Sequence, residues 1–153
     1  MISVKINNTV LNKISANFKE LDATGKDQLL RTVIAGLAPK IRYRVHTEGK
    51  DQSGQDFGTY SSPYLKRRQK KKHTGNKIIM FDTGQMQNDI VISAAKPIKT
   101  QGGYAIGTNN TFNAAKYGWL AKRFGNFYML SVAEIAHMKV MINAFMKNYF
   151  TKK

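Results

Sequence analysis

Apolar residues recur along this chain in three helical stripes separated by shorter, strand-like runs. Near the start, Val10, Leu11, Ile14, Phe18 and Leu21 fall on one face at helical spacing, behind Asn8 or Thr9 as a cap. They predict a first helix. After a break at Asp22 to Lys26, a second stripe runs through Leu29, Leu30, Val33, Ile34, Leu37 and Ile41. Thr24 stands three residues before Asp27 in a weak capping-box arrangement. Pro39 lies inside this stripe and is expected to kink or split the helix, because it removes an amide donor and crowds the preceding turn. The third stripe is the clearest. Ser131 and Glu134 have capping-box spacing, and Ile135, Met138, Ile142, Phe145 and Tyr149 follow at intervals of three and four. They predict a C-terminal helix of roughly 18 residues, an ordinary helix length.

Between the stripes the pattern changes. "KIIMFDTGQM", "DIVISA" and "YAIGT" read as short strands around a turn at Gly102 and Gly103. "TFNAAKYGWL" reads as a short helix ended by Gly118. Gly49, Gly54 and Gly58, with Pro63 close behind, mark an irregular segment. From Lys66 to Asn76 no residue is apolar, which predicts an exposed, mobile basic loop at about 65–76. The element order predicts an α+β fold. A small antiparallel β-sheet would carry N-terminal helices and a long C-terminal helix packed on it, in a single domain over residues 1–153.

Composition makes this an ordinary globular chain with an unusual charge. The 153 residues are 42% hydrophobic and 10% aromatic, enough to bury a core. Twenty-five Lys and Arg against nine Asp and Glu leave a net charge of +16. From Ile90 onward Glu134 is the only acid. Such an excess implies an acidic partner: nucleic acid, an anionic membrane surface or an acidic protein face. No cysteine is present, which excludes disulfides and thiolate chemistry. The opening "MISVKINNTVLNKI" lacks the apolar run of a signal peptide, and no stretch approaches the roughly 20 apolar residues of a membrane span. A protein made in a cytoplasm, with no membrane contact, is expected.

Candidate chemistry is sparse. His46, His73 and His137 are far apart and none has a two-histidine metal spacing. Asp51 and Asp56 flank Gly54, but the alternating acids and terminal glutamate of a calcium loop are missing. Asp82 and Asp89 are the one pair open to a nuclease-metal reading, and a turn residue and a strand-start residue explain them more simply. The glycines of "GQDFG" and "TQGGYAIG" match no phosphate-binding loop. No catalytic residue, metal or cofactor is expected. The strongest electrostatic feature is the run Lys66, Arg67, Arg68, Lys70, Lys71 and Lys72. No aromatic residue interleaves it, so contact through charge alone, with phosphate or acidic side chains, is favoured over base stacking.

Several motifs recur in an order that resembles a known family. "RVHTEGKDQSGQDFGTYS" presents Arg44, Gly49, Asp51, Gly54, Phe57, Tyr60 and Ser61. "MFDTGQM" follows the basic segment with Thr83, Gly84 and Met86; then come "AIGTN", "NAAKYGW" with Tyr117 and Gly118, and "KRF" with Arg123 and Phe124. Over about residues 30–150 the chain resembles the tail-completion and virion-morphogenesis proteins of tailed bacteriophages, the small neck proteins that join tail to head. The resemblance implies a non-enzymatic structural role in a homo-oligomeric ring, hexamer favoured, at the head-tail junction of the virion. Neighbouring neck, connector or tail proteins would be its partners, with possible contact to packaged DNA, after synthesis in the host bacterial cytoplasm. Gly54, Phe57, Tyr60, Thr83 and Gly84 are then the fold-defining turns and anchors. Phe57 and Tyr60 would pin the irregular segment onto the sheet, and Thr83-Gly84 would set the register of the first strand. Lys66 to Lys72 form the docking arm. The alternative is a monomeric nucleic-acid-binding protein that uses the same loop.

Overall fold

The structure, a computed structural model, describes residues 4–7, 20–80, 83–95, 98–100, 103–108, 110–125 and 127–151. The first predicted helix lies outside them apart from its end at Glu20 and Leu21, of which Leu21 is buried. Helix α1 (Ala23–Tyr43) starts where the Asp22 carboxylate accepts a bond from the Gly25 amide at 2.7 Å, so Asp22 rather than Thr24 is the cap. The stripe expected from the sequence faces inward, with Leu29, Val33, Ile34 and Leu37 excluded from solvent. Pro39 does not split the helix. Ala35 and Pro39 both lie on the exposed side, so the carbonyl left without an amide partner borders water.

Helix α1 loosens into one π-helical turn at Arg44–Glu48 and ends at Gly49, which has φ +66°. A side chain here is excluded twice over. The left-handed conformation disfavours it, and its Cβ would collide with the Ile78 carbonyl oxygen. Gly54, at φ +86°, has the same backbone need but open space around it. Gly54→Ala should therefore cost about 1 kcal/mol and Gly49→Ala about 2–3 kcal/mol. Urea unfolding of the two variants measures the difference.

Three strands form the sheet in the order β1 (Val4–Asn7), β3 (Gly103–Ile106), β2 (Ile98–Thr100), all antiparallel. Val4 pairs with Ile106, and Thr100 with Gly103. Helix α1 packs across β3, and the Tyr104 hydroxyl donates to Asp27 while accepting from Arg31 at 2.9 Å. Of the expected strands, "YAIGT" holds. "DIVISA" does not: it belongs to helix α3 (Gln85–Ala95). The β-branched run favours a strand locally, but Met86 and Ile90, one turn apart, are buried in the core shared with α1. Among the described residues of "KIIMFDTGQM" no strand forms; Lys77 makes a single bridge to Thr59, and Gln85 and Met86 belong to α3.

Helix α4 (Thr111–Phe124) runs straight through Gly118, longer than expected, because Asn110 caps it and its buried Asn113 and Tyr117 anchor it inside. Helix α5 (Val132–Thr151) packs along α1. Its capping box is present: Glu134 accepts from the Ser131 amide at 2.7 Å, and Ser131 Oγ accepts from the Glu134 amide at 3.2 Å. Met138, Ile142 and Met146 are its buried face, whereas Ile135 is exposed. The fold is α+β, with the long C-terminal helix against the N-terminal one.

A charged pair is buried inside this core. The Arg44 guanidinium meets Glu134 side-on at 2.9 and 3.2 Å, and donates to the carbonyls of Phe127 at 2.9 Å and Met129 at 2.8 Å. It joins the end of α1, the loop before α5 and the α5 cap in one buried knot.

A candidate interaction cleft beside the basic helix

The irregular segment after Gly49 is held by short-range geometry. The Asp51 carboxylate accepts from the Ser53 amide, the Ser53 hydroxyl and the Gln55 amide at 2.7 to 2.9 Å, which closes the turn containing Gly54. Burial raises the pKa of this carboxylate, but the bonds from Ser53 and Gln55, with the Arg44 charge, together outweigh it and hold it below its ordinary range. The Phe57 amide returns to the Gly49 carbonyl at 2.9 Å. The Phe57 ring lies 5.3 Å from Phe124 and 6.1 Å from Phe127. Phe57 therefore pins the segment onto the junction of α4 and α5, not onto the sheet, because β3 is already covered by α1. Tyr60 is likewise away from the sheet. Its hydroxyl accepts from the Ile79 amide at 3.3 Å, and its ring lies tilted against that of Tyr64 with centroids 5.1 Å apart.

The basic run is not a loop over most of its length. Ser62–Lys70 forms helix α2, with Pro63 in its first turn and Arg67, Arg68 and Lys70 in its last. Those positions suit the helix: proline lacks an amide the first turn would leave unbonded, and cations complement the negative C-terminal end. The "SSP" start and basic finish were the signal for a helix, hidden by the absence of apolar residues. Only 71–76 are irregular, and Lys72 takes the left-handed conformation at φ 60° that ends the helix. Arg68 leaves the contact set expected from the sequence. It is buried, with its guanidinium 4.4 Å above the Tyr60 ring. Lys66, Arg67, Lys70, Lys71 and Lys72 are exposed.

Thr83 and Gly84 do not turn a strand either. Gly84, at φ 77°, precedes α3 and its carbonyl accepts from the Asn88 amide at 2.9 Å, so the pair sets the entry of a helix. Asp82 lies outside the described residues, and Asp89 accepts from Asn113 at 2.8 Å, fastening α3 to α4. Among the described residues no three His, Asp or Glu side chains are grouped to hold a metal ion. No described helix is long and apolar enough to cross a membrane.

These elements enclose a cleft of about 430 Å³. One wall is Tyr60, Ser61 and Tyr64, where α2 begins. The floor is Ile78, Met80 and Met86, with Thr83 and Gly84 at one end, and the opposite wall is the α4 face bearing Lys116, Trp119, Leu120, Arg123 and Phe124. Its volume is in the range of ligand clefts, roughly 300–1,000 Å³. Trp119 is 69% exposed at its edge, unusual for the only tryptophan in the chain. The described lining is mainly apolar, with Ser61, Thr83, Gln85 and Gln87 as polar members, two cations and no acid. Lys116 lies 4.2 Å over the Phe112 ring and 3.4 Å from Gln85 Oε1, and Arg123 is 5.1 Å from the Phe124 ring centre. The arrangement can bind and orient a side chain; among the described residues no nucleophile beside a base lines it. Tyr60, Thr83 and Gly84 were singled out from the sequence as fold anchors, but their shared role as cleft walls was not visible there. Trp119, Lys116 and Met80 were missed, and the exposed Trp119 within a helical motif was the available signal. No protein-family model, no curated protein and no solved structure matches this chain.

Proposed function

We propose that this protein is a non-enzymatic structural component of a tailed-bacteriophage virion, a tail-completion or neck adaptor that forms a ring at the head-tail junction. The observation that carries the reading is convergence. Motif residues spread from Arg44 to Phe124 meet around one scaffold: Arg44 in the buried knot, Gly49, Phe57 and Tyr60 in the pinned segment, Thr83, Gly84, Arg123 and Phe124 around the cleft. Their work is positional, as an adaptor needs. Exposed apolar side chains on α4 and α5 away from the cleft, among them Phe112, Val132 and Val140, add surface for neighbouring subunits.

A second reading, a nucleic-acid-binding monomer, draws on the five exposed cations of the α2 region and the net charge of +16. The two differ in their response to salt. Five phosphate contacts would make log K fall with log salt at a slope of about −4.5, whereas an apolar ring interface would survive. Light scattering at low and high salt, with and without a random DNA duplex, separates them. A salt-resistant ring, or a monomer indifferent to DNA, is the expected result. Tight, salt-sensitive DNA binding by a monomer would overturn the adaptor reading.

A further inference from the structure

We infer that the cleft between α2 and α4 is a docking site for an acidic peptide segment of a different protein, anchored by one or two large apolar side chains. The inference rests on the adaptor reading for the kind of partner and goes beyond it in naming the surface and the chemistry recognised.

The interior of the cleft sets the anchor. Ile78, Met80, Met86 and Leu120 make an aliphatic and thioether floor, which adapts to a leucine, methionine or aromatic side chain. The Tyr60 ring face, which could otherwise stack a nucleobase, is already covered by Arg68 at 4.4 Å. Trp119 at the edge offers a large surface that an incoming chain would remove from water, as interface hot spots do.

The rim sets the charge. Lys116 and Arg123 stand on the α4 wall with no acid among the described lining residues. Arg67 is exposed one helical turn beyond Tyr64 on the opposite wall. A second copy of this chain is a poor source of the matching acids. Each copy carries a net charge of +16, and five of its nine acids are already engaged: Asp27 by Arg31 and Tyr104, Asp51 by its own turn, Asp56 by Lys77, Asp89 by Asn113, and Glu134 buried with Arg44. Two such chains would meet with like charges facing, so the complement must come from elsewhere.

The test uses the full chain and an array of synthetic acidic peptides. Each carries Leu, Met, Phe or Trp between Glu and Asp residues, beside a counterpart with Ser at the anchor position; binding is read by fluorescence anisotropy. Anchored peptides should bind, and their Ser counterparts should bind at least about ten-fold more weakly. Trp119→Ala and Arg123→Glu should each lose about ten-fold or more, while Lys139→Glu on exposed α5 should not. Both cleft variants alter exposed side chains, and unchanged thermal unfolding checks that they fold. No difference between anchored and Ser peptides, or displacement of peptide by an oligothymidylate, would overturn the assignment. The outcomes are separable from those of the adaptor reading. A DNA-binding monomer whose cleft still takes anchored peptides keeps the docking site and removes the neck role. A ring that ignores every acidic peptide keeps the neck role and removes the docking site.

Discussion

Glu134→Ala is expected to lower the stability of this protein by about 3–5 kcal/mol, because it strands the Arg44 charge in the core. Both side chains are nearly excluded from solvent, at 8% and 5% exposure. The pair is held at 2.9 and 3.2 Å, and Glu134 Oε2 also accepts from the Ser131 amide, so the same change removes half the α5 capping box. The Phe127 and Met129 carbonyls would remain on Arg44 but could not replace a full negative charge. Against a typical total of about 5–15 kcal/mol, the loss is a large share. For a chain of this size it corresponds to a fall in Tm of roughly 10–15 °C. Urea unfolding should show the midpoint falling with little change in slope. Replacing both partners with apolar residues, Arg44→Met with Glu134→Leu, should recover part of the loss. Recovery stays partial, since the two carbonyls lose their donor. A Glu134→Ala variant as stable as the wild type would remove the knot from the energetics of the fold.

The second large effect is a loss of stability in mild acid, traced to His46. This ring is buried beside the Tyr128 hydroxyl, 2.8 Å from Nε2. Burial pushes its pKa down from 6.5 to about 4, against a weaker opposing effect of the Ile79 and Met80 backbone. The folded protein therefore holds His46 neutral where the unfolded chain protonates it. Stability should be complete above about pH 6.5, fall as the pH drops toward 4, and change no further from this group below that. The whole decline amounts to about 3 kcal/mol. The lowered carboxylates, Asp27 through the Tyr104 and Arg31 bonds and Asp51 through its turn, lose their contribution only at lower pH. The interval from 6.5 to 4 thus isolates the histidine. Thermal unfolding across it should show the decline in the wild type and a much flatter profile in His46→Gln.

How far these features can be read from the chain differs by element. Arg44 and Glu134 were each noticeable alone, one closing a helix and the other completing a cap. Their pairing spans 90 positions and leaves no trace in local pattern. His46 looked isolated for the same reason, since Tyr128 stands 82 residues away. Of the candidate contact residues, Lys66, Arg67, Lys70, Lys71 and Lys72 are as exposed as a charged run implies, but Arg68 is turned inward onto Tyr60. The cleft draws its walls from four separate segments between Tyr60 and Phe124. No spacing within any one of them encodes it.

The sequence by itself determined the elements whose burial repeats with the helical period. The stripe from Leu29 to Ile41 and the Ser131-Glu134 cap with Met138 and Ile142 are local statements, and burying an apolar face is the largest favourable term in folding. The tertiary structure decided the rest. "DIVISA" became helical because Met86 and Ile90 are buried in the core against α1 in that form. Pro39 stayed within its helix because the Ala35 carbonyl it leaves unpaired borders water. The basic run became a helix because Tyr60 covers Arg68 and the helix end favours its other cations. In each case local preference differs between alternatives by only about 1 kcal/mol or less per residue. A contact with a distant part of the chain is worth as much or more, and so it chooses.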